Sequence, residues 1–404
     1  MLIVSKKPVA AGAANQILAF IRSGLIFADD LGLFAFRKAR RMCATVWTRF
    51  FFYLLPTILL AACGAAPITE TVPANQALGP QSVEIFYATN RAPDTNPGTY
   101  FGRERGDLSF GIAKIGIPQN HVIGGYEKPS VFKFEWTADE RKHISLRGVE
   151  TFEQTGFLQR MRQAVNASSS KKIMFFVHGY NASFQLASLR LAQFATDLKF
   201  DGPIVLFSWP SQGTLTGYLK DETNVEWSQT ALTEVLTLLL DNVSARQIFL
   251  VAHSMGSRAL TRAYKNITNE LPDNIHAVID EMILVAPDID ADLFREDSAP
   301  SITRSGIHVT LYASSNDRAL MASKAFHGYQ RAGDSGEELV LVPGVETIDA
   351  SETSGGLLGH SYFAEDRRIM EDIYAILLTG QRADTRFGLK PVDTPKGRYW
   401  TLRK

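Results

Sequence analysis

Five short apolar runs, alternating with stretches of helical spacing, constrain the fold of this 404-residue chain more than any other feature. Each run is apolar along nearly its whole length, which is typical of parallel strands that are buried on both faces. The stretches between the runs carry apolar residues at helical spacing and predict amphipathic helices. This alternation predicts an α/β chain with a doubly wound, mostly parallel sheet and right-handed crossovers. The five runs are residues 173–177, 204–207, 248–252, 282–285 and 309–313.

Further elements are predicted on both sides of the alternating region. Strands are predicted at residues 83–89, 108–117 and 131–136, and a weaker run of mixed polarity at 345–348 is placed nearer a sheet edge. Helices are predicted at residues 151–167, 187–198, 227–242, 257–266 and 363–378. Ligands of such sheets bind beyond the carboxyl ends of the strands. The polar residues that follow each strand are therefore the functional candidates.

Charge and cysteine content exclude several classes of protein. Basic and acidic residues balance at 42 each, and no long basic run follows the N-terminal region, so no nucleic-acid partner is expected. The two cysteines, Cys43 and Cys63, both lie in the N-terminal region, so neither disulfides nor thiolate-bound metals hold the fold. Residues 288–292 resemble the start of a calcium loop, but Leu293 replaces the required glycine and Ala299 the bidentate acid. We predict no metal and no cofactor.

The N-terminal region resembles a bacterial export signal. A basic cluster at residues 37–41 precedes an apolar stretch at 50–62, which has signal-peptide length and is too short for a comfortable membrane span. Residues 60–64 read Leu-Ala-Ala-Cys-Gly and resemble a lipobox. The resemblance implies cleavage before Cys63 and a lipid on its sulfur, and the alternative is an uncleaved signal anchor. By family analogy, Gly64 in place of an acid favours the periplasmic face of the outer membrane.

The run at residues 248–252 leads into a motif that predicts a catalytic nucleophile. Residues 252–256 read Ala-His-Ser-Met-Gly, which matches the nucleophile elbow Gly-x-Ser-x-Gly with alanine in place of the first glycine. The serine of such an elbow sits in a sharp turn between a strand and a helix, where small flanking residues avoid collisions. The helix N-terminus behind Ser254 offers N–H groups and the positive end of a dipole. The alternative interpretation of Ser254 is a helix N-cap, a position that serine favours.

A serine nucleophile needs a base, and the base needs an acid that orients it. In enzymes with such an elbow the chain order is serine, acid, histidine. Asp317 and His360 follow successive predicted strands and are the favoured acid and base. Asp288, after another strand, is the alternative acid. His327 is the competing base, and its helical surroundings assign it to the surface or to packing.

The third requirement is an oxyanion hole. One donor is predicted to be the backbone N–H of Met255, and the second comes from the loop after the first alternating run. That loop, residues 178–181, reads His-Gly-Tyr-Asn, in which Gly179 allows close approach and Tyr180 presents its N–H. Trp209 is predicted either to line the mouth of the site or to lie in the core. Residues 213–224 are predicted to form a short lid.

Six motifs in a fixed order together resemble a bacterial family, the alpha/beta hydrolases of unknown function, often labelled esterase/lipase superfamily. The motifs are residues 86–91 (Phe-Tyr-Ala-Thr-Asn-Arg), 176–181 (Phe-Val-His-Gly-Tyr-Asn), 207–211 (Phe-Ser-Trp-Pro-Ser), 252–256, 286–288 (Ala-Pro-Asp) and 359–362 (Gly-His-Ser-Tyr). The resemblance covers residues 83 to about 378 and implies the α/β-hydrolase fold. We divide the chain into an N-terminal extension with lipoprotein signal peptide (1–62), a tether (63–82), an α/β-hydrolase domain (83–380) and a C-terminal tail (381–404).

The combined pattern predicts a serine hydrolase that cleaves carboxylic esters, as esterases and lipases do, through an acyl-enzyme on Ser254. Lipids or envelope components are the expected ester substrates, because a lipid anchor at Cys63 would hold the enzyme beside a membrane. A peptidase or an acyltransferase would use the same triad. The other alternative is a non-catalytic envelope lipoprotein that uses the fold as a binding module, and the complete triad argues against it.

Overall fold

A computed structural model describes residues 81–96, 98–130, 135, 137–271, 277–336, 339–353 and 365–403 of the chain. Its strands are β1 (Gln81–Pro93), β2 (Phe101–Ile117), β3 (Ser145–Phe152), β4 (Lys172–Val177), β5 (Ile204–Ser208), β6 (Gln247–His253), β7 (Ile279–Val285), β8 (His308–Ala313), β9 (Val345–Asp349), β10 (Leu389–Thr394) and β11 (Gly397–Leu402). They form one sheet in the order β10-β11-β9-β8-β7-β6-β4-β5-β1-β2-β3. Every pairing from β11 to β1 along this order is parallel, whereas β2, β3 and β10 join through antiparallel pairs.

Helices connect the parallel strands and cover both faces of the sheet. They are α1 (Gln154–Ala167), α2 (Phe184–Asp197), α3 (Tyr218–Trp227), α4 (Gln229–Asn242), α5 (Gly256–Glu270), α6 (Ala291–Leu293), α7 (Ala299–Thr303), α8 (Arg318–His327) and α9 (Arg367–Thr379). Helices α1, α4 and α5 pack against one face, and α2 and α9 pack against the other. This is the predicted doubly wound α/β architecture. Among the described helices, none has the length and apolar character needed to cross a bilayer.

The alternation of side chains along each strand explains why the central runs are almost continuously apolar. In β4, Ile173 and Phe175 enter the hydrophobic core on one face, while Met174 and Phe176 enter the core on the other. A strand that is buried on both faces has no position for a solvent-facing polar residue. The polar residues are consequently displaced to the strand ends, where the candidate site lies.

The structure differs from the sequence prediction at the edges of the sheet. Residues 381–404 were assigned to a tail, but β10 and β11 form a hairpin whose second strand pairs with β9. The hairpin strands are mostly polar and exposed, with only a few buried apolar anchors such as Trp400, so they lack a clear strand pattern. Strand β3 was not predicted either, and the predicted strand at 131–136 lies outside the described residues, apart from residue 135.

Candidate active site

The turn between β6 and α5 holds Ser254 in a left-handed backbone conformation. Its φ is +53°, and its residue surface is 2% exposed. A non-glycine residue in this region costs roughly 1–3 kcal/mol and persists only where the surrounding structure enforces it. The turn is held by hydrogen bonds from the Ser254 N–H to the Val285 carbonyl (2.9 Å) and from the Ser257 N–H to the Ser254 carbonyl (3.0 Å). The backbone therefore has the strained strand-to-helix geometry that a nucleophile elbow requires.

Two glycines allow the elbow to pack directly against the loop after β4. A Cβ added to Gly179 would lie 2.9 Å from the Ser254 Cβ and 2.7 Å from Nδ1 of His253. A Cβ added to Gly256 would lie 2.8 Å from the Val177 carbonyl oxygen. All three distances are far below ordinary van der Waals contact. The structure thus places the backbone of residues 178–182, here called the oxyanion loop, against the predicted nucleophile.

Both predicted oxyanion donors belong to these two contacting segments. Met255 is buried and precedes the first residue of α5, where helix N–H groups have no intrahelical acceptor. Tyr180 is half-buried in the oxyanion loop, and its hydroxyl donates a hydrogen bond to the Leu215 carbonyl (2.6 Å). Within the described part of the chain, no acceptor contacts the backbone N–H of either residue. These N–H groups and the helix dipole would stabilise a negatively charged oxygen formed on a group attached to Ser254.

Asp317 lies at the N-terminus of α8, four residues after the end of β8, and is fully buried. Its Oδ1 accepts hydrogen bonds from the backbone N–H groups of Ala319 (3.0 Å) and Leu320 (3.1 Å). These bonds fix the orientation of the carboxylate at the N-terminus of the helix. An oriented, buried carboxylate is what a triad acid requires.

His360, the predicted base, lies in residues 354–364, outside the described residues. The chain that leads towards it is held next to the loop that carries Asp317. The Asn316 side chain donates to the Ser351 carbonyl (2.6 Å), and the Ser315 N–H donates to the Ser351 hydroxyl (2.9 Å). Ser351 therefore lies beside the loop that carries the predicted acid.

Asp288, the alternative acid, is the centre of a buried ion network directly behind the elbow. Its backbone N–H donates to the Ser254 carbonyl (3.2 Å). Its carboxylate is 2.8 Å from Nε of Arg331 and 3.2 Å from Nη2 of Arg258. It also accepts hydrogen bonds from the hydroxyls of Ser323 (2.7 Å) and Tyr218 (2.7 Å). None of these four donors is a histidine.

Two neighbouring arginines keep the Asp288 carboxyl group ionised. Burial would raise the pKa of this carboxyl, but the guanidinium groups of Arg258 and Arg331 outweigh burial and lower its pKa to about 2. The network joins α3, α5 and α8 through side chains from each helix. Asp288 thus braces the elbow, and the assignment of Asp317 as the triad acid stays a prediction.

His327, the competing base, has both ring nitrogens engaged in contacts between helices. Nδ1 lies 2.8 Å from the Ser323 carbonyl, and Nε2 lies 2.8 Å from a carboxylate oxygen of Glu222. The ring also packs edge-on against Tyr218. These contacts agree with the packing role that its helical surroundings suggest.

The remaining predicted positions divide between core and entrance. Trp209 is fully buried, stacks on the His178 ring at 5.0 Å and donates from its indole N–H to the His178 carbonyl (2.7 Å). It belongs to the core rather than to the mouth. The predicted lid, 213–224, forms a 3₁₀ turn and the first part of α3. Leu215 and Leu219 are exposed in this segment, and the Leu215 carbonyl binds the Tyr180 hydroxyl. No group of three or more metal-ligating side chains suited to a metal ion occurs among the described residues.

Two buried charged residues in the site were not predicted from the sequence. Arg91 ends the apolar run of β1, and Asp221 lies in the polar segment that was assigned to a lid. Both side chains contact the oxyanion loop. The sequence signal available for Arg91 was its place in the 86–91 motif, which gives no indication that the side chain is buried.

The larger part of the chain matches a known protein family. The model of the family described as "Alpha/beta hydrolase of unknown function (DUF900)" matches residues 153–382, which is more than half of the chain. The chain belongs to this family, and its sheet has the α/β-hydrolase fold. No curated protein matches the chain.

Solved structures align with this chain at low TM-score and low sequence identity. An uncharacterized protein from Bacillus cereus ATCC 10987 aligns with a TM-score of 0.34 and 10% identity over 53% of this chain and 62% of its own. An esterase from Pyrobaculum calidifontis aligns with a TM-score of 0.28 and 9% identity over 51% of this chain and 75% of its own. Phospholipase PlaB from Legionella pneumophila aligns with a TM-score of 0.30 and 14% identity over 58% of this chain and 69% of its own. The chain therefore spans less than two thirds of the Bacillus cereus protein.

Asparagine substitutions at Asp317 and Asp288 should separate catalysis from stability. Asp317→Asn keeps a good helix cap but loses the charge that orients the base, so we expect ester turnover to fall about 10³- to 10⁴-fold in a folded protein. Asp288→Asn removes the carboxylate that two buried guanidinium groups share, and it leaves Arg331 with only the carboxylate of Asp290 at 4.0 Å, so we expect about 3 kcal/mol less free energy of unfolding. Urea denaturation and p-nitrophenyl ester turnover per folded molecule measure the two effects. The reverse pattern would make Asp288 the acid.

Proposed function

We propose that this protein is a serine ester hydrolase that works through an acyl-enzyme on Ser254. The supporting observation is the left-handed turn at Ser254, with the oxyanion loop in backbone contact with it. An N-cap serine, the alternative interpretation, needs an extended backbone rather than a strained one. A binding module would have no need for a strained serine at this position.

The proposed reaction has two halves, each with a tetrahedral intermediate. The Ser254 hydroxyl oxygen attacks the ester carbonyl carbon while His360 accepts the hydroxyl proton, and Asp317 stabilises the resulting imidazolium. The carbonyl oxygen becomes an oxyanion and accepts hydrogen bonds from the Met255 and Tyr180 N–H groups. His360 then protonates the alcohol, which leaves. Water repeats the attack on the acyl-enzyme, and the carboxylic acid is released as the proton returns to Ser254.

Exposed apolar side chains around Tyr180 and Tyr218, whose rings are in contact, support an ester with an apolar acyl or alcohol group. Leu215, whose carbonyl binds the Tyr180 hydroxyl, is 66% exposed, and Leu219 is 58% exposed. Phe326, which packs edge-on against Tyr218, is 47% exposed. Apolar surface beside a catalytic centre favours binding of apolar substrate groups. We propose that lipid or envelope esters are the natural substrates.

A pair of serine variants tests the function. Ser254→Ala removes the nucleophile, so we expect hydrolysis of p-nitrophenyl esters of increasing chain length to fall by about 10⁶-fold, in effect to background. Ser257→Ala is the matched control, because this buried serine is one helical turn further on and its hydroxyl has no hydrogen-bond partner among the described residues. We expect it to retain turnover.

Other outcomes distinguish the alternatives. A folded wild type that hydrolyses no ester but cleaves amides, or transfers acyl groups to added alcohols, would identify a peptidase or an acyltransferase with the same triad. A folded wild type with no turnover of any acyl substrate would contradict the enzyme assignment and favour the binding module. Equal loss in Ser254→Ala and Ser257→Ala would indicate structural damage rather than loss of a nucleophile.

We also propose that a lipid on Cys63 anchors the protein at the periplasmic face of the bacterial outer membrane. Cys63 lies outside the described residues, and the proposal rests on the lipobox-like sequence at residues 60–64. The tether at residues 63–82 would let the catalytic domain reach ester groups at the membrane surface.

The two cysteines of the chain provide a matched test of the anchor. In a bacterial host supplied with an alkyne-labelled palmitate, Cys63→Ser should lose both the label and membrane association. Cys43→Ser should keep both, because it would lie in the removed signal peptide. Retention of the label in Cys63→Ser would contradict lipidation at this residue.

A further inference from the structure

A buried polar cluster outside the predicted triad surrounds the oxyanion loop. Its two charged members are Arg91, near the end of β1, and Asp221, on α3, and their surfaces are 1% and 0% exposed. We propose that Arg91 and Asp221 are positioning residues that hold the oxyanion loop in the conformation that binds the tetrahedral oxyanion. This proposal rests on the ester-hydrolase function proposed above.

Every N–H of the Arg91 guanidinium has a hydrogen-bond acceptor. The contacts are Nε with the Ser208 hydroxyl (2.9 Å), Nη1 with the carbonyls of Gly102 (3.0 Å) and Ser211 (3.1 Å), and Nη2 with Nε2 of His178 (3.3 Å) and the Ala182 carbonyl (2.7 Å). His178 and Ala182 are the two ends of the oxyanion loop. One rigid, planar group therefore binds both ends of the loop and the neighbouring loop after β5.

The contact with His178 requires one defined form of the imidazole. Nε2 accepts a hydrogen bond from Arg91 only when it carries no proton, so the proton must lie on Nδ1, which is 2.8 Å from the Gly179 carbonyl. Burial, and after it the positive charge of Arg91, lower the pKa of His178 to about 3. The neutral ring then uses both nitrogens to hold the loop.

Asp221 holds the same loop from the opposite side. Its Oδ2 accepts hydrogen bonds from the Asn181 N–H (3.2 Å) and from the Ser211 hydroxyl (2.6 Å). The Ser211 hydroxyl in turn accepts from the Ala182 N–H (3.1 Å). Asn181 has a φ of +58°, an uncommon conformation for a residue other than glycine, which these bonds maintain. The two N–H groups after Tyr180 are thus bound by the cluster, while the Tyr180 N–H is left for a ligand.

The energetic cost of this cluster argues for a functional role. Moving a guanidinium and a carboxylate out of water costs several kcal/mol for each ion, and these two do not form a direct ion pair, because Ser211 lies between them. Apolar residues of similar volume would often be at least as stable. A fixed set of hydrogen bonds does, however, preorganise a loop whose N–H must point at the oxyanion before reaction.

Substitutions at Arg91 test the proposal in protein expressed from the full-length sequence. Arg91→Lys keeps the charge but loses the planar fork, and Arg91→Met keeps only the stem. We expect kcat for p-nitrophenyl esters to fall about 100- to 1,000-fold in both variants, as when an oxyanion donor is lost. We expect KM to change little, because the loop stabilises the transition state rather than the bound ester.

Arg386→Lys is the matched control for the loss of a buried guanidinium. Arg386 is 0% exposed at its side chain and pairs with Asp372 (3.1 Å) and Glu346 (2.9 Å), away from the predicted site residues. We expect this variant to be less stable but to keep wild-type kcat per folded molecule. Equal kcat in Arg91→Lys and Arg386→Lys would overturn the positioning role.

A transition-state analogue provides a readout that general destabilisation would not move. The Ser254 hydroxyl adds to the carbonyl carbon of a trifluoromethyl ketone, and the carbonyl oxygen becomes an oxyanion that the loop should bind. The inhibition constant of this ketone should therefore rise in parallel with the loss of kcat/KM in the Arg91 variants. The matching methyl ketone, which adds poorly, should bind all variants equally. An unchanged trifluoromethyl ketone constant in a slow Arg91 variant would overturn the proposal.

Ser211→Ala tests the positioning role if neither Arg91 variant folds. It removes only the hydroxyl between Asp221 and the Ala182 N–H, and it should give the same selective loss of kcat on a smaller scale. A wild type without turnover would overturn the hydrolase function itself. An active wild type with unaffected Arg91 and Ser211 variants would overturn the positioning role alone.

Discussion

The left-handed turn at Ser254 is the constraint on which the rest of the candidate site depends. The turn is strained, so the elements on both sides must hold it, and β6 and α5 do so because both are anchored in the hydrophobic core. It also brings the N-terminus of α5 within backbone contact of the oxyanion loop, which only glycine at positions 179 and 256 permits. A single backbone conformation therefore sets the position of the predicted nucleophile, the position of the first predicted oxyanion donor and the space for the second.

Two buried polar networks brace this turn from opposite sides. Asp288 binds the Ser254 carbonyl through its N–H and uses its carboxylate to join α3, α5 and α8. Arg91 and Asp221 hold the oxyanion loop that packs against the turn. Apolar packing alone fixes volume, whereas hydrogen bonds fix the direction of individual N–H groups, and oxyanion stabilisation depends on direction. The α3 helix contributes to both networks, so the segment assigned to a lid is an integral part of the site.

The sequence was sufficient to predict the features that follow from local pattern. The five central strands, the doubly wound sheet and the helix after Ser254 follow from apolar periodicity, and the sharp turn there was inferred from the small residues around the serine. Other features depend on long-range contacts. The β10–β11 hairpin is largely polar and joins the sheet only through β9. The contacts of Arg91 join residues that are far apart in the chain, and nothing in its neighbours indicates that a charged side chain would be buried. The ion network around Asp288, which bears on the choice between Asp288 and Asp317 as the acid, likewise depends on long-range contacts.

The proposal that Ser254 is the nucleophile is tested by identifying the residue that reacts with an active-site-directed phosphonate. The folded full-length protein would be treated with a fluorophosphonate, digested and analysed by tandem mass spectrometry, beside a urea-denatured sample. The strained turn, the oxyanion donors and the predicted base should make Ser254 far more reactive than any other serine. We expect one adduct per molecule, on Ser254, in the folded sample alone. An adduct on a different residue, or no adduct on protein shown to be folded, would contradict it.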